Sequence, residues 1–300
     1  MIEVKDVYKS FEGIQAIKGI SAKIPDGHIF GLVGSNGAGK STLLRLIAGV
    51  LKSDQGEVLV DGENIYENSK KKAEVCFLSD TAYFFPNSTI KIMSDYYALM
   101  YKDFDREQFF ELARRFKMDE NRKISTFSKG MKKQVSVLLG VCAKTRYLLC
   151  DETFDGLDPV MRQAVKSLFA SELLSRPFTP IIASHNLREI EDICDCVGLV
   201  HEGGILFTKD IEDMKLHIHK IQCVLSDPAD EEKLCAELEV LKCEKQGSIL
   251  TFVARGNRDE IMRHVKEKNP VFAESVGLSL EEIFISETEV AGYDVKDFFG

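Results

Sequence analysis

The chain has 300 residues, 48 acidic against 39 basic, for a net charge of −9, with 44% hydrophobic and 29% charged side chains. This balance excludes general disorder and collagen-like repetition, and it has the wrong sign for a protein held chiefly by nucleic-acid phosphates. The charge is uneven: 10 basic and 17 acidic residues fall within 216–300, leaving a net of −2 for residues 1–215. A near-neutral body with an acidic tail domain is expected. The best apolar run, 135–143, stops at Lys144, well short of the roughly 18–20 residues that span a bilayer. The start of the chain has no basic-then-apolar signal pattern, and the eight cysteines form no CxxC pair. A chain without membrane spans in a reducing, intracellular compartment is expected.

In chain order, strands are predicted at 2–7, 16–24, 28–33 and 57–60, the last ending on Asp61-Gly62, with a helix over 40–49 before it. The run Lys70-Lys71-Lys72 reads as a solvated loop. A strand at 74–78 precedes a helix-rich stretch, about 84–145, in which Ile90, Met93, Tyr97, Phe109, Leu112 and Phe116 keep helical spacing. Alternation then returns: a strand at 146–150, a helix at 159–174, a strand at 180–184 and a helix from Asn186. A hairpin, 196–200 with 205–207, turns on Glu202-Gly203-Gly204. This order predicts an α/β sheet domain over 1–215 with a helical insertion. Within 216–300 the order is β-α-β-β-α-β, which predicts a small ferredoxin-like α+β domain. A closing helix starts at Ser279, with Glu281 and Glu282 in its first turn, where acidic groups suit the helix dipole.

The chemistry is concentrated in a few short segments. Gly34-Ser35-Asn36-Gly37-Ala38-Gly39-Lys40-Ser41-Thr42 fits G-x-x-x-x-G-K-[ST] between a predicted strand and a predicted helix. Glycines there let backbone N–H groups turn inward around phosphates at a helix N-terminus. Lys40 is placed to reach the β- and γ-phosphates, and the Ser41 hydroxyl to ligate Mg²⁺. The apolar strand Tyr147-Leu148-Leu149-Cys150 ends on Asp151 and Glu152. Asp151 stands where a P-loop protein holds Mg²⁺, and Glu152 where it polarises the water that attacks the γ-phosphate.

Among P-loop proteins, Phe127-Ser128-Lys129-Gly130-Met131 resembles the ABC-ATPase signature L-S-G-G-Q in a variant form, with Ser128 placed 23 residues before Asp151. Gly156-Leu157-Asp158 is similar to the D-loop, and His185, 34 residues after Asp151, stands where the switch histidine does. Phe11 matches the aromatic that stacks on adenine, with Tyr8 as second candidate. On these motifs, residues 1–215 resemble the nucleotide-binding domain of ABC transporters. The resemblance implies a P-loop NTPase of ABC type with a helical subdomain, using ATP and Mg²⁺. It also implies a head-to-tail pair with a second ATPase subunit, in which Ser128 and Gly130 meet the partner's γ-phosphate and Asp158 lies by the nucleotide. A separate transmembrane permease is implied, its coupling helices received near residues 88–101. Ser279-Leu280-Glu281-Glu282-Ile283-Phe284-Ile285 is similar to the ending of ABC-2-type exporter ATPases. Export is implied from a cytoplasmic position, peripheral on the inner face of the cell membrane, without nucleic acid. An importer ATPase and a soluble ABC ATPase are the alternatives.

Two departures from the family pattern stand out. Lys129 and Met131 replace the commoner Gly and Gln, and no glutamine occurs between Gly56 and Glu107, so Asp80 falls where the Q-loop glutamine is expected. A carboxylate near the γ-phosphate repels it unless a cation intervenes. Asp80 is therefore expected to approach Mg²⁺, with Lys129 of a partner copy as the candidate counter-charge.

Overall fold

Short alternating segments and continuous apolar ones build two different sheets here, because only the second kind is covered on both faces. A computed structural model describes residues 1–227 and 229–290. Strands β1 (Ile2–Phe11), β2 (Ile14–Ile24), β3 (Phe30–Val33), β4 (Gln55–Val60) and β5 (Glu63–Asn64) come first. Of these, β2-β1-β4-β5 pair in that order as an antiparallel sheet. The fully buried β3 joins β6 (Val75–Leu78), β7 (Tyr147–Asp151), β8 (Thr179–Ser184), β9 (Cys196–His201) and β10 (Gly204–Asp210) in the order β10-β9-β3-β8-β7-β6. Its ladders from β9 through β6 are all parallel. Helix α1 (Lys40–Ile47) shares one core with both sheets through Leu44 and Ile47, packed among Val4, Ile20, Val60, Leu149 and Ile181.

The Lys70–72 run is not a loop. It lies in a short helix, α2 (Ser69–Lys72), capped by Asn68, and the Lys71 ammonium stands 3.1 Å from Glu74 and 3.7 Å from both Asp61 and Glu63. Three carboxylates hold down a side chain that its charge alone assigns to solvent. Helices α3 (Ile90–Met100), α4 (Arg106–Arg115) and α5 (Lys129–Cys142) enclose a core of their own, with Met93, Phe109, Leu112, Val135 and Leu138 at its centre. Each begins where a side chain accepts an orphan N–H: Thr89, Asp105 and Ser128. Asp158 does the same for α6 (Pro159–Ser175), whose first position is proline, and Asn186 for α7 (Leu187–Ile193).

The chain divides into two compact units, Met1–Thr208 and a second that begins at Lys209. The boundary falls earlier than the predicted 215 because an unpredicted helix, α8 (Ile211–His217), packs on β11 (Ile218–Val224) and on α11 (Leu280–Val290). Between those elements come α9 (Ala229–Glu237), β12 (Glu239–Gln246), β13 (Ile249–Arg255), α10 (Arg258–Glu267) and β14 (Phe272–Val276). The sheet is antiparallel, in the order β12-β13-β11-β14. Ile221, Leu234, Phe252, Ile261 and Val265 fill the core beneath it. Among the described residues no helix is long and apolar enough to cross a membrane.

Candidate active site

Residues 34–39 run from β3 into α1 under two close backbone approaches. A Cβ at Gly34 would sit 2.1 Å from the Val200 carbonyl oxygen, and one at Gly39, where φ is +107°, would sit 2.7 Å from that of Ala16. No side chain fits at either position, so bare backbone lines the concavity. No side chain caps α1 at Gly39, and its leading N–H groups are left for an anion. The turn after β9 braces the loop: the Gly203 N–H donates to the Ala38 carbonyl at 3.0 Å, and the Gly203 carbonyl accepts from Lys18 at 2.7 Å. The sequence shows that turn but not its contact with the loop.

Five predicted residues converge here. The Lys40 ammonium donates to the carbonyls of Gly34 (2.7 Å) and Ser35 (3.0 Å) and lies 3.6 Å from Glu152 Oε1. The Ser41 hydroxyl donates to Asp151 Oδ1 at 2.8 Å. His185 Nδ1 and Glu152 Oε2 are 2.8 Å apart. Burial holds the Lys40 ammonium below the ordinary amine range, against the pull of Glu152. Burial likewise pushes the Asp151 carboxyl above the usual range, opposed by the Ser41 hydroxyl and reinforced by the charge of Glu152. Both charged forms are therefore costly until an opposite charge arrives: phosphate for the lysine, a cation for the carboxylate. The adjacent Ser41 and Asp151 oxygens are the hard donors Mg²⁺ prefers. Among the described residues no three or more His, Cys, Asp or Glu side chains are grouped to hold a metal, so the donor set fits an ion shared with phosphate oxygens and water. Removing the ammonium by Lys40→Ala should weaken ATP binding by about 1.5–3 kcal/mol, the usual worth of a charged hydrogen bond. Titration with a fluorescent ATP analogue checks this, and an unchanged Kd would take Lys40 out of the site.

The remaining predicted residues have local partners. Ser128 accepts from the Met131 N–H at 3.2 Å, and Asp158 from the Met161 N–H at 2.9 Å, so both side chains cap helices. A Cβ on Gly130 would stand 3.4 Å from the Gly156 carbonyl oxygen, which brings the signature helix against the D-loop. Phe11 ends β1 with 41% of its surface exposed and the Lys9 ammonium 5.5 Å from its ring centre. Tyr8 instead covers Gly19, where a Cβ would meet its hydroxyl at 2.6 Å. Of the two aromatics, Phe11 keeps the open face.

Asp80 has a partner that its place in the sequence does not show. Its Oδ1 faces the Lys133 ammonium at 3.6 Å, so a counter-charge for it lies within the same chain. Lys129 pairs with Asp155 at 3.1 Å. Sequence reasoning missed Lys133 altogether. It also missed Ser184 and Glu189, which set the turn carrying His185: Ser184 Oγ donates to Glu189 Oε2 at 2.9 Å and accepts from the Asn186 N–H at 3.0 Å. Burial pushes the Glu189 carboxyl above its usual range. The available signal was an acidic residue in the first turn of a helix capped by Asn186.

The family model for ABC transporters matches residues 17–155. The ABC transporter ATP-binding protein YtrB of Bacillus subtilis is 31% identical over 287 residues, 96% of this chain and 98% of its own length. The methionine import ATP-binding protein MetN of Clostridium acetobutylicum is 32% identical over 85% of this chain and 84% of its own. The bacitracin transport ATP-binding protein BcrA of Bacillus licheniformis is 25% identical over 99% and 96%. A solved ATP-binding subunit of an ABC transporter shares the fold, with a TM-score of 0.65 at 22% identity, covering 72% of this chain and 92% of that one. Similarity along nearly the whole of both chains, together with the phosphate loop and the paired carboxylates beside it, leads to one conclusion: this chain belongs to the ABC transporter ATP-binding proteins, as an ATP-hydrolysing subunit.

Proposed function

We propose that Glu152 is the general base of ATP hydrolysis and that the subunit powers export through a separate transmembrane permease. The observation that carries the chemistry is the Glu152 carboxylate, set between Lys40 at 3.6 Å and His185 at 2.8 Å. On this reading Lys40 leaves the Gly34 and Ser35 carbonyls for the β- and γ-phosphates, and Phe11 stacks on adenine. Ser41 and Asp151 hold Mg²⁺, which when bound neutralises charge on the phosphate oxygens. Glu152 takes a proton from the attacking water, and His185 orients that carboxylate. In a head-to-tail pair, the N-terminus of the partner's α5, with Ser128 and Gly130, closes on the γ-phosphate, since helix N-termini favour anions.

Export is supported by the sequence of residues 279–285, and transport, without its direction, by the likeness to a bacitracin transport protein. The likeness to a methionine import protein favours the second reading, an importer ATPase. A permease contact is supported by the exposed apolar side chains Tyr83, Phe85, Ile92, Tyr96, Leu99 and Met100, on α3 and the loop before it. On this reading the subunit sits at the inner face of the membrane. Co-purification with a polytopic membrane protein, and ATP-driven accumulation of cargo in inside-out vesicles, are the expected results. Uptake by intact cells through the same pair would make the importer reading correct, and recovery on ribosomes or nucleic acid the soluble one. The second unit is proposed as an accessory domain that folds by itself. A chain ending at Thr208 should keep its ATP affinity, and a folded but non-binding product would overturn that division.

A further inference from the structure

We infer that Lys133 is a positioning residue for Glu152, clamping its carbonyl oxygen while being held in turn by Asp80 and Asp155; this rests on Glu152 being the base. Lys133 lies in the second turn of α5, with 4% of its side chain exposed. Its ammonium donates to the Glu152 carbonyl at 2.5 Å and stands 3.6 Å from both Asp80 Oδ1 and Asp155 Oδ2. An ammonium has three protons and no acceptor capacity, and three acceptors surround this one.

What the clamp holds is an unfavourable backbone. Glu152 has φ +47°, in the left-handed region, where a residue with a Cβ is strained and persists only if its surroundings over-determine it. Two contacts do so: its N–H donates to the Ala183 carbonyl at 2.9 Å, and its own carbonyl accepts from Lys133. With both backbone groups pinned, the carboxylate is aimed at Lys40 and His185. Lys129, on the same helix and 73% exposed, makes an ordinary surface pair with Asp155. Lys133 differs because its charge is buried, and a buried charge must be matched. The aspartate that stands in place of the Q-loop glutamine supplies part of that match. The clamp therefore joins the loop after β6, the loop after β7 and the signature helix through one nitrogen, and displacement of Asp80 is transmitted to the Glu152 carbonyl.

The test uses the full chain and steady-state ATPase kinetics. Lys133→Met keeps the length and removes the donor, and it should lower kcat at least tenfold with KM for ATP within about twofold, as misplacement of a catalytic group does. Lys133→Gln with Asp80→Asn restores a neutral donor and removes the unmatched carboxylate, and it should return kcat to within about threefold of wild type. Lys133→Met with Asp80→Asn should not recover. Wild-type kcat in Lys133→Met, or a Gln double variant no faster than the Met one, would overturn the clamp. If Lys133→Met does not fold, Lys133→Gln alone against its double carries the same comparison: faster turnover in the double supports the clamp, and equal rates overturn it. Glu152→Gln is run alongside. Near-normal turnover there removes the base itself, whereas a Glu152→Gln slowed by about 10²-fold or more beside a wild-type-like Lys133→Met removes only the clamp.

Discussion

Glu152→Gln should lower kcat by about 10²–10⁴-fold while leaving ATP affinity within about twofold, the signature of a lost proton acceptor. The amide has nearly the same shape and can still hydrogen-bond His185 Nδ1, now 2.8 Å from the carboxylate. What it lacks is basicity toward the attacking water. Affinity should be preserved because, on the proposed reading, the phosphates are bound by Lys40 and the backbone of residues 34–39, not by the carboxylate. Removing a negative charge 3.6 Å from Lys40 lessens repulsion of the γ-phosphate. Binding without turnover leaves ATP in place, so the variant should accumulate as an ATP-dependent dimer on size-exclusion chromatography. Near-normal hydrolysis would take Glu152 out of its role.

The parts of the site legible in the sequence are those whose chemistry is contiguous. A phosphate loop has to be one uninterrupted segment, because successive N–H groups form the cradle, so residues 34–42 declare themselves. The carboxylates of Asp151 and Glu152 follow directly from an apolar strand, and the helices predicted at 159–174 and from Asn186 begin at the caps Asp158 and Asn186. Lys133 was illegible for the opposite reason. Its partners Asp80, Glu152 and Asp155 come from two loops that only the parallel order of β6 and β7 brings side by side. On a helix wheel it is one more lysine after Lys129 and Lys132. Lys71 failed in a similar way, since Asp61 and Glu63, on the β4–β5 hairpin, join Glu74 around it only in the fold. The unit boundary was misplaced because α8 is one short helix whose apolar residues Ile211 and Met214 are too few to show a period.

Glu172→Ala should destabilise the first unit strongly, by about 3–5 kcal/mol, because it removes a buried carboxylate from two largely buried cations. Glu172 lies on α6 with 2% of its surface exposed. It accepts from Arg176 Nε at 2.6 Å, from Gln108 Nε2 on α4 at 2.7 Å, and from Lys144, just past α5, at 2.9 Å. One carboxylate therefore ties the helical subdomain to α6, whose Phe169 packs against Phe154, past the end of β7, and Phe178, just before β8. Burial alone raises its pKa, but Arg176, Lys144 and Gln108 together outweigh burial and leave it below the ordinary value. The sign of the pH dependence follows. A carboxylate with a lowered folded-state pKa contributes stability that is complete above the unfolded value, about 4.3, and is lost as pH falls through the folded one. Thermal unfolding read on the transition that ATP shifts should show Glu172→Gln below wild type throughout neutral pH, and the gap should close only below about pH 4. Glu172→Ala should lie lower still, since it also loses the hydrogen bonds that the amide can keep. A gap that widens toward acid would mean that burial, not the surrounding donors, governs this carboxylate, and that its ties to α4 and Lys144 contribute little to holding the helical subdomain.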